Sequence, residues 1–388
     1  MPSNSTRSDG TGSIRSPRWH LGTRASTALL AAVVVIEGWA LASKDPDFYL
    51  PDPFRPLALG LIAFFVVTGF IRRATPRRFL RSAALALVLA LIVLEVHARF
   101  RDGSAYRVIR TADVLQRYQY RPGASIGSPG PRRDPVVNHL GLMDVEHPIP
   151  KPSDVFRIVL LTGSIANDGA VPFDDRFFRR METHLAGAIP GRRIEVVNVS
   201  CEGYNTLQQV RLLERVGLQY EPDLVVVGFM LTAATIQDGS YRRIGNSFYL
   251  FRFLPLLAYA TTGSLCSTFA PFYDRYTYDL VVRNSFERLA LLSELHHFRT
   301  LVAVLPVLER FDDPVCTGIY DQVARTAREA GLPAIRVADA FRGEPPSRFE
   351  KPGQRYDVCH PNSAGHERIA RTLADEIRRM LSAPPSAS

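Results

Sequence analysis

Cysteine is scarce in this 388-residue chain: Cys201, Cys266, Cys316 and Cys359 are the whole complement, with no C-x-x-C pair and no His/Cys spacing of a metal finger. A fold built around structural zinc is therefore excluded. His296-His297 lies at a predicted helix end without partners at ligand spacing, so no metal is expected there either. One or two disulfides stay open if the globular part lies outside the cytoplasm. A Cys201–Cys359 bridge is one arrangement, because each flanks a candidate site loop, and unpaired buried cysteines are the other. Also lacking is any helix-turn-helix or alternating aromatic-basic pattern. The net charge of +9 does not substitute for one: the first hundred residues hold twelve Lys/Arg against six Asp/Glu, leaving the rest almost balanced. A basic excess gathered beside apolar segments follows from membrane topology, and no nucleic-acid partner is expected.

Long apolar runs are present, and all precede residue 100. Residues 1–24 are polar, rich in Ser, Gly and Arg, and read as a disordered tail. Residues 25–43, 56–71 and 79–98 follow as apolar stretches, the second without a charge in sixteen positions. Arg7, Arg15, Arg18 and Arg24 precede the first run, and Arg72, Arg73, Arg77 and Arg78 lie between the second and third. The loop between the first and second carries Asp45, Asp47 and Asp52. The positive-inside rule then predicts three transmembrane helices, a cytoplasmic tail, and everything after about residue 100 outside the cytoplasm. The alternatives are core helices of a soluble protein or a cleaved signal peptide, and three runs in succession argue against cleavage.

Residues 101–155, with Pro129, Pro131, Pro148, Pro150 and Pro152 and little periodicity, read as a surface linker. From there apolar runs alternate with helical patterns. Strands are predicted at 157–161, 194–198, 224–228, 300–305 and 334–337, and helices at 176–188, 207–216, 282–298, 320–330 and 366–381. This β-α alternation predicts a three-layer α/β/α domain on a parallel sheet over 156–382, followed by a short disordered tail, 383–388. Residues 239–281, aromatic-rich and irregular, read as an insertion near the sheet's carboxyl edge.

That edge is where open α/β sheets collect chemistry. Ser164 follows the first strand in Leu160-Leu161-Thr162-Gly163-Ser164, Gly203 follows the second, and Thr232 follows the third. Asp357 and His360 precede the last helix. A serine hydroxyl needs a histidine to accept its proton, and the histidine needs a carboxylate to orient it, so Asp357-x-x-His360 supplies a base and its orienter. The backbone N–H groups of Ser164 and Gly203 are the candidate oxyanion donors, with the Thr232 hydroxyl as a third. Taken singly, Ser164 is as well read as a helix N-cap, and Asn362 and Ser363 read as caps of the last helix. Asn167 and Asp168, just past the serine, are polar and close enough in sequence to join the site.

Over residues 136–382 these blocks resemble the SGNH or GDSL hydrolase family, whose members have a flavodoxin-like fold. The resemblance rests on Leu160–Ser164, on Asn198–Asn205 with Gly203, on Pro222–Gly228, and on Asp357-x-x-His360-Pro361-Asn362 followed by Gly365-His366. It implies an esterase that needs no cofactor and acts on O-acyl groups, most plausibly O-acetyl esters of an envelope glycan or lipid, with Ser164, His360 and Asp357 as the catalytic triad. Two other implications are acetyl transfer to a polysaccharide, and a catalytically silent subunit working with envelope-assembly proteins. The chain departs from the pattern twice. Gly163 stands where the family has aspartate, and Thr232-Ala233 where it has Asn-Asp. Loss of one preorganised oxyanion donor costs about 2.7 to 4 kcal/mol of transition-state stabilisation, so reduced activity is expected.

Overall fold

The computed structural model describes residues 108–110, 113, 116, 118–124, 137–235, 263–352 and 357–382, all within the unit His97–Ser388. The predicted tail, the three predicted transmembrane runs, most of the insertion and residues 383–388 lie outside the described residues. Among the described residues no helix is long and apolar enough to cross a membrane.

Five strands form one parallel sheet: β3 (Val155–Leu161), β4 (Arg193–Asn198), β5 (Leu224–Phe229), β6 (Arg299–Val304) and β7 (Ala334–Arg336). Their order is β4-β3-β5-β6-β7, every neighbouring pair parallel. This is the flavodoxin-type arrangement, in which the chain leaves the first-formed strand in one direction, returns, and continues in the other. All seven residues of β3 and all six of β5 are buried, as expected of strands covered on both faces. The covering helices are α1 (Phe177–Leu185), α2 (Thr206–Arg215), α3 (Leu265–Phe269), α4 (Asn284–His296), α5 (Pro314–Glu329) and α6 (Ser363–Ser382). Helix α1 packs on α6, while α2 packs on α4.

Every strand expected between residues 156 and 337 is present with ends moved by a residue or two. The predicted helix at 320–330 begins earlier, at Pro314, because Pro at the first helical position and Asp313 as its cap, accepting from Val315 and Cys316, set a start that apolar periodicity does not register.

Two expectations need correction. Part of the segment read as a surface linker belongs to the domain. Strands β1 (Val108–Arg110) and β2 (Tyr118–Tyr120) form an antiparallel pair, and Tyr118, Tyr120, Leu142 and Met143 are buried in the core. Its apolar residues come singly between turns, so no period of 2 or 3.6 betrays them. Further along, Asp144 accepts from the Asn198 amide, and the fully buried Arg157 is satisfied by Glu195 and by the Pro148 and Tyr220 carbonyls, so 144–148 is fastened to the sheet. The cysteine pairing, left open by the sequence, is resolved in favour of an unbridged Cys201 and Cys359. Cys266 in α3 and Cys316 in α5 form the disulfide, with Cα atoms 5.2 Å apart, well inside bridging range, and neither Cys201 nor Cys359 is disulfide-bonded. The irregular reading of 263–281 also gives way: Leu265–Phe269 and Ala270–Tyr273 are short helical turns, and Arg275–Tyr278 runs on through a π-helical turn, Asp279–Arg283, into α4.

Candidate active site

The first loop at the sheet's carboxyl edge is shaped by Thr162. Its hydroxyl donates to the Gly228 carbonyl of β5 at 2.7 Å and its amide donates to the Ser200 hydroxyl beyond β4 at 3.1 Å. Three strand ends are thereby tied together just before the turn Ser164–Asn167 begins. Asn167, fully buried, extends the tie. It accepts from Asn198 Nδ2 at 2.8 Å and donates to the Ser200 carbonyl and the Tyr120 hydroxyl. Ser164, at the head of this turn, is half-buried.

The last loop is set by the start of α6. Asn362 Oδ1 accepts from the Ala364 and Gly365 amides, so the expected cap is present, and its Nδ2 donates to the Arg348 and Glu350 carbonyls. Gly365 lets the helix come this close: a Cβ there would lie 2.4 Å from the Pro361 Cβ. Pro361 directly follows His360, so the tight packing positions the imidazole.

Across nearly the whole domain, Ser164 and His360 meet. Ser164 Oγ is 2.7 Å from His360 Nε2, and His360 Nδ1 is 2.6 Å from Asp357 Oδ1. Burial opposes the charge of Asp357, but its bond to His360 and the charges of His360 and Lys351 outweigh it and hold the carboxyl down at about 2. An ionised carboxylate only accepts, so Nδ1 carries the proton and Nε2 is free to accept from the serine. Burial likewise opposes a charge on His360, yet the hydrogen bond and negative charge of Asp357, helped by Asp168, raise its pKa above the ordinary imidazole value. A hydroxyl, an imidazole and an ionised carboxylate in this chain can move a proton off the hydroxyl as its oxygen attacks. Cys359, beside His360, is no competing nucleophile. Burial, reinforced by the Asp357 charge, pushes its thiol up to about 12, so it stays protonated.

Gly203 sits in the loop after β4 with φ of +74°, a left-handed conformation in which glycine carries no Cβ penalty. The neighbouring Glu202 amide donates to the Tyr120 hydroxyl, and the Tyr118 hydroxyl donates to the Glu202 carbonyl. Two residues of the former linker thus brace this loop. Thr232 lies in the turn Leu231–Ala234, half-buried, and its carbonyl accepts from the Thr235 amide and hydroxyl. Among the described residues no hydrogen bond joins it to Ser164, Asp357 or His360. Of the two polar residues past the serine, Asn167 braces the turn, while Asp168 pairs with Lys351. Lys351 also reaches Asp357, and it is the residue that motif reading missed. A compositional signal was available: lysine occurs only at 44, 151 and 351 in a chain that otherwise uses arginine.

Among the described residues, Cys266, Glu309 and Cys316 form the one group close enough to hold a metal ion. It does not fit that use, because the sulfurs are joined to each other and Glu309 accepts from the Leu265 amide and the Ser264 hydroxyl.

No protein-family model matches the sequence, and no curated protein matches it. Solved structures do match in part. An α/β hydrolase from the metagenome of Lake Arreo, Spain, is similar at 16% identity over 59% of this chain and 97% of its own, with a TM-score of 0.39. A psychrotrophic esterase from Pseudoalteromonas sp. is similar at 12% identity over 58% and 99%, TM-score 0.38. An acetylxylan esterase from Geobacillus stearothermophilus is similar at 16% identity over 57% and 94%, TM-score 0.38. Likeness at this level does not bear on activity, and the functional reading rests on the site itself.

Proposed function

We propose that this protein is a membrane-anchored serine esterase of the SGNH type, whose catalytic domain lies outside the cytoplasm and removes O-acyl groups from an envelope glycan or lipid. The observation that carries the reading is the continuous chain Ser164 Oγ–His360 Nε2 and His360 Nδ1–Asp357 Oδ1, at 2.7 and 2.6 Å, built from loops 196 positions apart. Ser164 attacks the ester carbonyl while His360 takes its proton. Asp357 keeps His360 in the required tautomer and balances the imidazolium that forms. The developing oxyanion is received by the Ser164 and Gly203 N–H groups and the Thr232 hydroxyl. His360 then returns the proton to the leaving alkoxide, and water repeats the sequence to release the acid. The family resemblance supports an O-acetyl ester carried on a carbohydrate.

A fluorophosphonate probe tests the nucleophile. It should label the wild-type chain and leave Ser164→Ala and His360→Ala unlabelled, and equal labelling of wild type and Ser164→Ala would overturn the assignment. With p-nitrophenyl acetate, kcat/KM should rise with pH through a midpoint above about 6.5, because the raised pKa keeps His360 protonated, and unable to act as base, below it. Turnover that appears only when a glycan acceptor is supplied would mean transfer in place of hydrolysis.

A further inference from the structure

Lys351 closes a ring around the site. Its ammonium lies 2.8 Å from Asp357 Oδ2 and 2.9 Å from Asp168 Oδ2. Asp357 Oδ1 is taken by His360, His360 Nε2 by Ser164, and Ser164 leads through one turn of backbone to Asp168. The nucleophile's turn and the base's loop are therefore joined twice, by the serine–imidazole bond and by the lysine bridge. Lys351 and Asp168 are each only 9% exposed in their side chains and Asp357 is 30% exposed, so the lysine and Asp168 are largely withdrawn from water while Asp357 is partly open to it. Asn362, which caps α6, holds the carbonyls of Arg348 and Glu350 and so fixes the backbone from which Lys351 projects. An ammonium with three donors on a flexible stem serves two carboxylates in a narrow gap, a task for which arginine's rigid planar fork is poorly shaped.

We propose that Lys351 is a positioning residue: its ammonium clamps the Asp357 loop to the Ser164 turn and fixes the geometry in which His360 meets the serine. The inference rests on the triad reading above. It adds an electrostatic consequence. Among the described residues the charged and titratable groups around His360 are Asp357 and Cys359 on its own loop, Asp168 on the serine's turn, Lys351, and His366 on α6, beyond which lies Arg176. His366 is neutral, with its pKa down at about 3, and Cys359 is an uncharged thiol, so the local balance is two carboxylates against one ammonium. Removing the ammonium leaves His360 facing uncompensated negative charge and easier to protonate. Removing Asp168 has the opposite effect.

The pH dependence of fluorophosphonate labelling of the full chain reads this directly. Lys351→Met should move the labelling midpoint upward by about one pH unit and slow labelling at the plateau. Asp168→Asn should move the midpoint downward. Midpoints left in place, with labelling merely slowed at every pH, would reduce Lys351 to a structural support and overturn the proposal. Should Lys351→Met lose its melting transition, Asp168→Asn decides alone, and an unmoved midpoint there overturns it. His360→Ala separates the two readings: labelling like wild type would sink the triad itself, whereas no labelling together with unmoved midpoints would sink only the role of Lys351.

Discussion

His366 illustrates how a residue inside a recognisable motif takes a role the motif does not announce. It is fully buried, its Nδ1 accepts from the Phe177 amide at 3.0 Å, and its ring stacks on Phe177. Burial, with the neighbouring positive charge of Arg176, pushes its pKa down to about 3. A histidine depressed in the folded state stabilises the fold above its unfolded value, and that contribution is lost as pH falls from about 6.5 toward 3. Between pH 6.5 and pH 5 the loss is about 2 kcal/mol, and it should appear in urea melts of the wild type. His366→Gln, which keeps an acceptor and cannot charge, should flatten that stretch of the curve; an unchanged slope would assign the acid sensitivity elsewhere. At this scale the meeting of Ser164, His360 and Asp357 was legible, because the sequence carries the serine at a strand end and the Asp-x-x-His pair just before the last helix. Lys351 was not, because a lone lysine in a Pro-Gly stretch has no local period or partner; its two carboxylates come from 183 positions away and from across an undescribed stretch.

Among elements, the five strands were legible since continuous Val/Ile/Leu runs have few alternatives in a chain of this length. The β1–β2 pair was not, because strands of three residues are too short for a period to register, and the buried residues 142–144 were not, because they join the core from turns. Helix α6 is the element on which the site depends most directly. Its first turn abuts Pro361, and the Gly365 position leaves no room for a methyl group. Gly365→Ala should therefore destabilise the domain by about 1 to 3 kcal/mol and slow fluorophosphonate labelling of Ser164, since relief of the clash displaces the residue next to His360. A variant that melts lower but labels at the wild-type rate would mean the strain is absorbed by Phe349, whose Cβ is the next neighbour at 3.5 Å.

For the whole molecule, the disulfide and the predicted topology bear on each other. A bridge between Cys266 and Cys316, 50 positions apart, forms and persists in an oxidising compartment, so its state in the protein taken from cells tests the proposed extracytoplasmic placement. Alkylation of the denatured full chain taken from cells should leave Cys266 and Cys316 blocked and modify Cys201 and Cys359. Modification of all four would remove the bridge and count against the proposed extracytoplasmic placement. Replacement of Cys316 by serine should lower stability by about 2 to 4 kcal/mol.

The ring that joins Ser164 to His360 also has a bearing on when the chain becomes reactive. The hydroxyl is synthesised 196 positions ahead of the imidazole that activates it, and the ammonium that clamps the two loops comes almost as late. Until that final stretch is in place, Ser164 has no imidazole within reach, so the chemistry proposed for it waits on the last part of the chain to fold.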